Sequence, residues 1–190
     1  MEHGEPLGQL SAFGVRISSQ DGKFVVKHCE YGRRRPQWIH VDTEIKQRFP
    51  IGVAKRPTGL GYDAKTKRLF IGCGNEPKMV VMDAVNGKVI TSMPIGRGVD
   101  YGGFDPQSKL IFFSCGEGVL SVFHEKSADE YEDMGPVKTQ ASARTMAFDS
   151  KTKKIFLPAA EYLETPPATP GGRPGRTVKP GTFVVLVVSK

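Results

Sequence analysis

Nine residues of this chain are written almost identically twice, and a third, looser copy lies between them. Residues 63–71 read DAKTKRLFI, residues 105–113 read DPQSKLIFF and residues 149–157 read DSKTKKIFL, so the leading aspartates stand 42 and 44 residues apart. A period of this length constrains a chain more than any single motif does. Each repeat must fold as one supersecondary unit, and only its neighbours can cover its apolar face. Stepping back 45 residues from Asp63 reaches Ser18 and the stretch SSQDGKFVV, which has the same turn-then-strand shape. Four units therefore begin near residues 13, 58, 100 and 144.

Within a unit the pattern is a short strand, an Asp- or Ser-led polar turn and a second apolar strand. In LGYDAKTKRLFIG the Asp63 carboxylate can bond the backbone two residues on, while Lys65, Thr66 and Lys67 stay in water. A helix capped at Asp63 is excluded, because Leu69, Phe70 and Ile71 are followed by GCG and no apolar stripe at helical spacing continues. A third strand follows in each unit: WIHVD (38–42), MVVMD (79–83), LSVFH (120–124) and FVVLVV (183–188). In the first two units a fourth is expected, since KQRFPIG (46–52) matches the end of KVITSMPIG (88–96). Four strands in ~40–45 residues is the arithmetic of a propeller blade. The expected fold is all-β, a single propeller domain over 1–190 with four-stranded blades near 10–56, 57–99, 100–143 and 144–190.

Two places depart from the pattern. The segment 162–182 holds five Pro and four Gly between the second and third strands of the last unit, and 163–181 is expected to be an exposed, flexible loop. The last unit also shows no fourth strand of its own, so Leu7–Leu10 is expected to supply one or the edge stays open.

Composition narrows the function classes. The longest apolar run, Phe183–Val188, is far short of the ~20 residues of a membrane span. The first ten residues, MEHGEPLGQL, show neither the basic nor the apolar region of a secretory signal. Cys29, Cys73 and Cys115 are odd in number and form no C-x-x-C pair, which points to structural thiols and not to a disulfide framework or zinc site. The net charge of +7 is a diffuse excess of 27 basic over 20 acidic residues, read mainly as solubility.

RPTGLGYDAKTKRLFIGCGN followed by MVVMDAVNGKVITSMPIGRGVD resembles the YVTN-type β-propeller repeat family, and from about Pro50 to Lys190 the likeness is close. It extends through GRGVDYGGFDP, SARTMAFDSKTKKIFLP and the FVVLVV ending, whereas residues 1–49 match in strand order alone. The resemblance implies the C-terminal half of a larger propeller, or a minimal ring that closes or dimerises. It also implies export for many members, and a binding or scaffold role with no shared catalytic set.

Candidate site residues come from the alignment of the units. Five residues before each anchor stand Phe13, Thr58, Asp100 and Arg144, where a propeller places the mouth of its central channel. With Arg97 on a neighbouring loop, Thr58, Asp100 and Arg144 are the expected ligand-binding set, the arginines acting as bidentate donors to a polar ligand or anion. The competing structural reading pairs Asp100 with Arg144 across adjacent blades. No catalytic residue, metal ligand set or cofactor is assigned, since no nucleophile elbow, phosphate loop or metal-spaced histidine is present. The enzymatic alternative is a metal-dependent, lactonase-like hydrolase built on Asp100, Asn75, Glu76 and Glu117. A third reading takes Arg33, Arg34, Arg35 and Trp38 in YGRRRPQW as a single-stranded nucleic-acid contact.

Overall fold

The computed structural model describes residues 48–166 and 174–189, together with the backbone of strands at 9–10, 15–20, 23–28 and 38–41. The described residues form antiparallel sheets and turns, with no helix. The chain falls into two compact units, Met1–Arg48 and Phe49–Lys190.

The first unit is one four-stranded antiparallel sheet in the order β1 (Gln9–Leu10), β2 (Val15–Gln20), β3 (Lys23–His28), β4 (Trp38–Val41). The central hairpin is the one expected from SSQDGKFVV, with Ser19 opposite Phe24 and Gln20 opposite Lys23. The fourth strand differs from expectation. Gln9 and Leu10 pair with Arg16 and Val15, so this segment completes the first sheet and does not serve the last one. Residues 48–52, the described part of the strand expected at 46–52, form no strand.

In the second unit, β5 (Pro57–Asp63), β6 (Arg68–Cys73), β7 (Lys78–Asp83) and β8 (Val89–Pro94) form the second sheet, in sequence order. The third sheet is β9 (Val99–Asp105), β10 (Leu110–Cys115) and β11 (Val119–Glu125), and its outer position is shared by β12 (Tyr131–Asp133) and β13 (Val137–Lys138), both paired to β11. The fourth sheet has three strands, β14 (Ala147–Asp149), β15 (Lys154–Ala159) and β18 (Val184–Val188).

Between β15 and β18, β16 (Tyr162–Thr165) and β17 (Gly175–Val178) form a two-stranded hairpin. The expected flexible loop is thus structured along both arms. Tyr162 pairs with Val178 and Leu163 with Thr177, and β-branched and aromatic residues of this kind favour cross-strand pairing. Every residue of the two arms is exposed, so the hairpin holds by its ladder and not by burial.

The repeated turn is built the same way three times. Asp63 accepts from the backbone N–H of Lys65 (2.9 Å) and Thr66 (3.1 Å), Asp105 from Gln107 (3.2 Å) and Ser108 (3.4 Å), and Asp149 from Lys151 (2.9 Å). The lysine closing each turn, Lys67, Lys109 or Lys153, adopts a left-handed φ of 58°, 54° or 58°. Thr66, expected to be solvated, is instead half-buried and bonded to Asp63.

The second, third and fourth sheets stack through their alternating faces, as a period-2 pattern requires. Phe70, Met79 and Val81 pack on Ile111, Phe113 and Phe123. The opposite face of the third sheet, with Phe112, Leu120 and Val122, packs on Met146, Ile155 and Leu157. The inner strands β5 and β9 approach backbone to backbone: a Cβ on Gly59 would lie 2.8 Å from the Tyr101 carbonyl carbon, so only glycine fits there.

Candidate functional site

The loops that lead into β9 and β14 run side by side, because both bond Gly116, the residue that follows β10. Gly116 N–H donates to the Gly98 carbonyl (2.9 Å), and Ser142 N–H to the Gly116 carbonyl (2.8 Å). Arg56, Gly98 and Ser142 occupy equivalent places in three units, and all three have positive φ, at 58°, 72° and 82°. In the last unit the Ser142 hydroxyl replaces a backbone group. It donates to the Ala160 carbonyl (2.7 Å) and accepts from Ala160 N–H (3.1 Å).

Strand β14 begins only at Ala147, so Arg144 stays outside the ladder, with its carbonyl taken by the Ser114 hydroxyl of the adjacent sheet. The side chain is thereby free to leave the sheet. Its stem crosses Gly116, where an added methyl group would sit 3.6 Å from Arg144 Cβ and 3.8 Å from Cδ. Beyond the stem opens a cavity of about 870 Å3. Small residues, Gly98, Gly116, Ser142 and Ala160, make part of its wall, and Arg144, Tyr162, Glu164 and Arg176 supply charge and an aromatic ring.

Charge across the cavity is unevenly paired. Lys179 Nζ meets Glu161 Oε2 at 2.8 Å, which holds the Lys179 ammonium above its ordinary value. Glu164 stands opposite Arg176 in the hairpin register. Among the described residues no acidic side chain bonds the Arg144 guanidinium, which is exposed on the cavity wall.

Of the expected ligand-binding residues Thr58, Arg97, Asp100 and Arg144, all described, only Arg144 lines this cavity. Thr58 donates to the Val99 carbonyl (2.8 Å) and joins the second and third sheets. The expected Asp100–Arg144 pair is replaced by a bond from the Thr145 hydroxyl to Asp100 Oδ2 (2.9 Å), one residue along from the arginine. Arg97 contributes backbone, its N–H donating to Glu117 Oε1 (2.9 Å). The arginines 33, 34 and 35 lie outside the described residues, and Trp38 is described only as the first residue of β4, opposite Lys27. Cys73 and Cys115 are buried at equivalent strand ends, where burial raises both thiols, while Cys29 is outside the described residues. Tyr162, Glu164 and Arg176 were not expected. The alternation of YLET against GRTV is a signal for their hairpin, hidden by the Pro and Gly between its arms.

A second polar cluster joins the second and third sheets. Thr66 Oγ1 lies 2.6 Å from Asp63 Oδ2 and 3.0 Å from Glu125 Oε1. One hydroxyl proton serves one carboxylate at a time, so with Asp63 ionised and accepting it, a proton on Glu125 would let the second contact also be a hydrogen bond. Burial, with Asp63 adding its charge, pushes the Glu125 carboxyl above its ordinary value, and Glu125 is only 2% exposed. Burial also opposes ionisation of Asp63, but the Thr66 hydroxyl and the turn N–H groups outweigh it and hold that carboxyl low.

No family model and no curated protein matches the chain. Solved structures do. The Swd1 β-propeller domain from Myceliophteria thermophila aligns with 86% of this chain and 55% of its own, at 14% identity and a TM-score of 0.52. A putative 6-phosphogluconolactonase from Bacteroides fragilis aligns over 98% of this chain and 61% of its own (10% identity, TM-score 0.52), and one from Bacteroides uniformis over 92% and 54% (13% identity, TM-score 0.50). The chain spans little more than half the length of these structures. With its repeated antiparallel sheets, it has an all-β, propeller-like fold.

Proposed function

We propose that the chain is a YVTN-like propeller module that works by binding, and that its ligand is a small polar anion held in the cavity beside Arg144. The observation that supports this reading is the Arg144 guanidinium, which no acidic side chain among the described residues bonds, on a cavity of about 870 Å3, in the size range of small-molecule sites. Arg144 would grip a carboxylate through two parallel N–H donors, and the Tyr162 ring offers a flat apolar face to the rest of the molecule. Gluconate is a suitable probe, because the names of two structural neighbours, putative 6-phosphogluconolactonases, suggest a sugar acid. Titration calorimetry should show gluconate binding and no binding of uncharged glucose. Arg144→Ala should weaken gluconate about tenfold or more, as expected for loss of a charge-assisted bidentate contact. Equal affinity of the variant would sink the assignment.

The hydrolase alternative has no ligand set in its favour. Among the described residues no three His, Cys, Asp or Glu side chains come together to hold a metal ion. Asn75 and Glu76 sit on the β6–β7 turn, where Glu76 meets Lys78 at 2.7 Å.

A further inference from the structure

The β16–β17 hairpin is an insertion into the repeat. In the second sheet residues 74–77 join β6 to β7, and in the third residues 116–118 join β10 to β11. In the fourth the same connection, from β15 to β18, runs through residues 160–183 and carries the hairpin. It leaves the sheet at the end of β15 that lies beside the start of β14, the end from which Arg144 projects. Packing does not account for it. Every residue of its two arms is exposed, and its base is held by polar bonds, Lys179 N–H donating to the Glu161 carbonyl (2.9 Å) and the Thr182 hydroxyl to the Lys179 carbonyl (2.7 Å).

What the insertion adds is chemistry on one face. Side chains alternate along a strand, and the register sets Tyr162 opposite Val178 and Glu164 opposite Arg176. Tyr162, Glu164 and Arg176 therefore share a face, and all three line the cavity that holds Arg144. Leu163 and Thr177 stand opposite each other on the other face. Two guanidinium groups thus reach one cavity from separate elements, Arg144 from the approach to β14 and Arg176 from the inserted arm. Among the described residues no acidic side chain bonds Arg176, the Glu164 carboxylate opposite it included. A guanidinium has five N–H donors in a fork, so a carboxylate at one edge leaves another edge free. The volume of about 870 Å3 lies toward the upper end of small-molecule sites, with room for a ligand that spans both groups.

We infer that the ligand of this cavity is a two-headed acid, a small molecule with an anionic group at each end, gripped by Arg144 at one end and by Arg176 at the other. The Tyr162 ring lies against the chain between them. This inference rests on the Arg144 reading above and adds the second anchor. The repeat supplies the first arginine and the insertion the second, so preference for a dianion resides in the hairpin.

Glucarate is the probe, since it has the carbon chain of gluconate with a carboxylate at both ends. In titration calorimetry with the full chain, glucarate should bind about tenfold or more tightly than gluconate, because its second carboxylate meets Arg176 as an intramolecular contact. Arg176→Gln should abolish that advantage. Thr177→Ala, on the far face of the same strand, alters the hairpin without touching the cavity and should leave the advantage in place. Its loss in Thr177→Ala as much as in Arg176→Gln would make the order of the hairpin the cause and overturn the assignment of Arg176. Glucarate no tighter than gluconate, or an advantage that survives Arg176→Gln, overturns the inference while the Arg144 reading stands. Failure of gluconate to bind, or binding indifferent to Arg144→Ala, sinks that reading and this one with it.

Discussion

The two junctions that hold the third sheet share their apolar design and differ in their polar one. Both use a tilted phenylalanine pair with nearly the same separation and angle. Both set a buried aspartate at the turn behind it, Asp63 at 4% exposure and Asp105 at 1%. The second junction answers its aspartate with a cation, Lys153 Nζ lying 2.9 and 3.0 Å from the two Asp105 oxygens. The first answers with another acid, Glu125, through the shared Thr66 hydroxyl. The difference teaches that a repeat conserves the shape of its interface through packing, while the lock at the rim can be an ion pair or a shared proton. The two locks part as pH rises, where only the first holds a carboxyl, Glu125, raised above its ordinary value.

The largest expected effects test the shared apolar part. Phe70 is fully buried between Phe104 and Tyr131, whereas Phe112 borders an existing cavity. Denaturant unfolding should show Phe70→Ala costing about 4 kcal/mol and Phe112→Ala about 3 kcal/mol, because a site already partly empty loses fewer contacts. A larger loss at Phe112 would break the claim that its junction is the less filled.

Next comes the ion pair. Burial works against the Asp105 charge, but the Ser108 hydroxyl and the Lys153 ammonium outweigh it and hold the carboxyl below its ordinary value. Its stabilising contribution is therefore present above the unfolded aspartate value and lost as pH falls through the lower folded value. Asp105→Asn should cost about 1–2 kcal/mol near neutrality, a figure reduced from that of a fully buried pair because the Lys153 side chain is 37% exposed. The variant should also flatten the acid limb of the stability profile, which urea midpoints at several pH values would reveal.

The smallest effect belongs to the acid pair. The Glu125 carboxyl is raised, so the folded state holds its proton more tightly than the unfolded chain does. Its favourable contribution is complete below the unfolded glutamate value and is lost as pH rises through the folded value. The groups facing it are Asp63, Thr66, Lys109 and Tyr131, of which the Thr66 hydroxyl and Lys109 favour its ionisation but are outweighed by burial and the Asp63 charge. Glu125→Gln keeps a neutral donor at this place, and should change stability by less than about 1 kcal/mol in mild acid while sparing the protein the loss at higher pH. A variant that lost stability equally at every pH would show that Glu125 is ionised in the fold.

How far the sequence reveals this arrangement depends on the range of each interaction. The turns and their hairpins were legible because Asp63, Asp105 and Asp149 bond two and three residues ahead, and the flanking strands alternate locally. The β16–β17 hairpin was not, since its arms are short, fully exposed and separated by a Pro- and Gly-rich stretch. The role of Gln9 and Leu10 was misplaced because a two-residue strand carries no periodicity, and only its partner β2 defines it. At the candidate site, aligning the units found Arg144 but not its surroundings. Asp100 bonds Thr145 instead of Arg144 because β14 starts late, and a strand's starting point is set by competition with groups on other sheets, here the Ser114 hydroxyl. Glu125 and Tyr131 escaped notice for the same reason: each matters through a contact about 60 residues away in sequence.

Hydrogen exchange read strand by strand at two pH values, after correction for intrinsic rates, tests the contrast between the junctions most directly. Mild alkali should loosen β5 and β6 relative to β14 and β15, as Glu125 loses its proton beside Asp63 while the Asp105–Lys153 pair keeps its charges. Acid should loosen both junctions, since Asp63 and Asp105 are both held low. Equal loosening of the two junctions in mild alkali would contradict the account, because it would mean that the two locks are one chemistry.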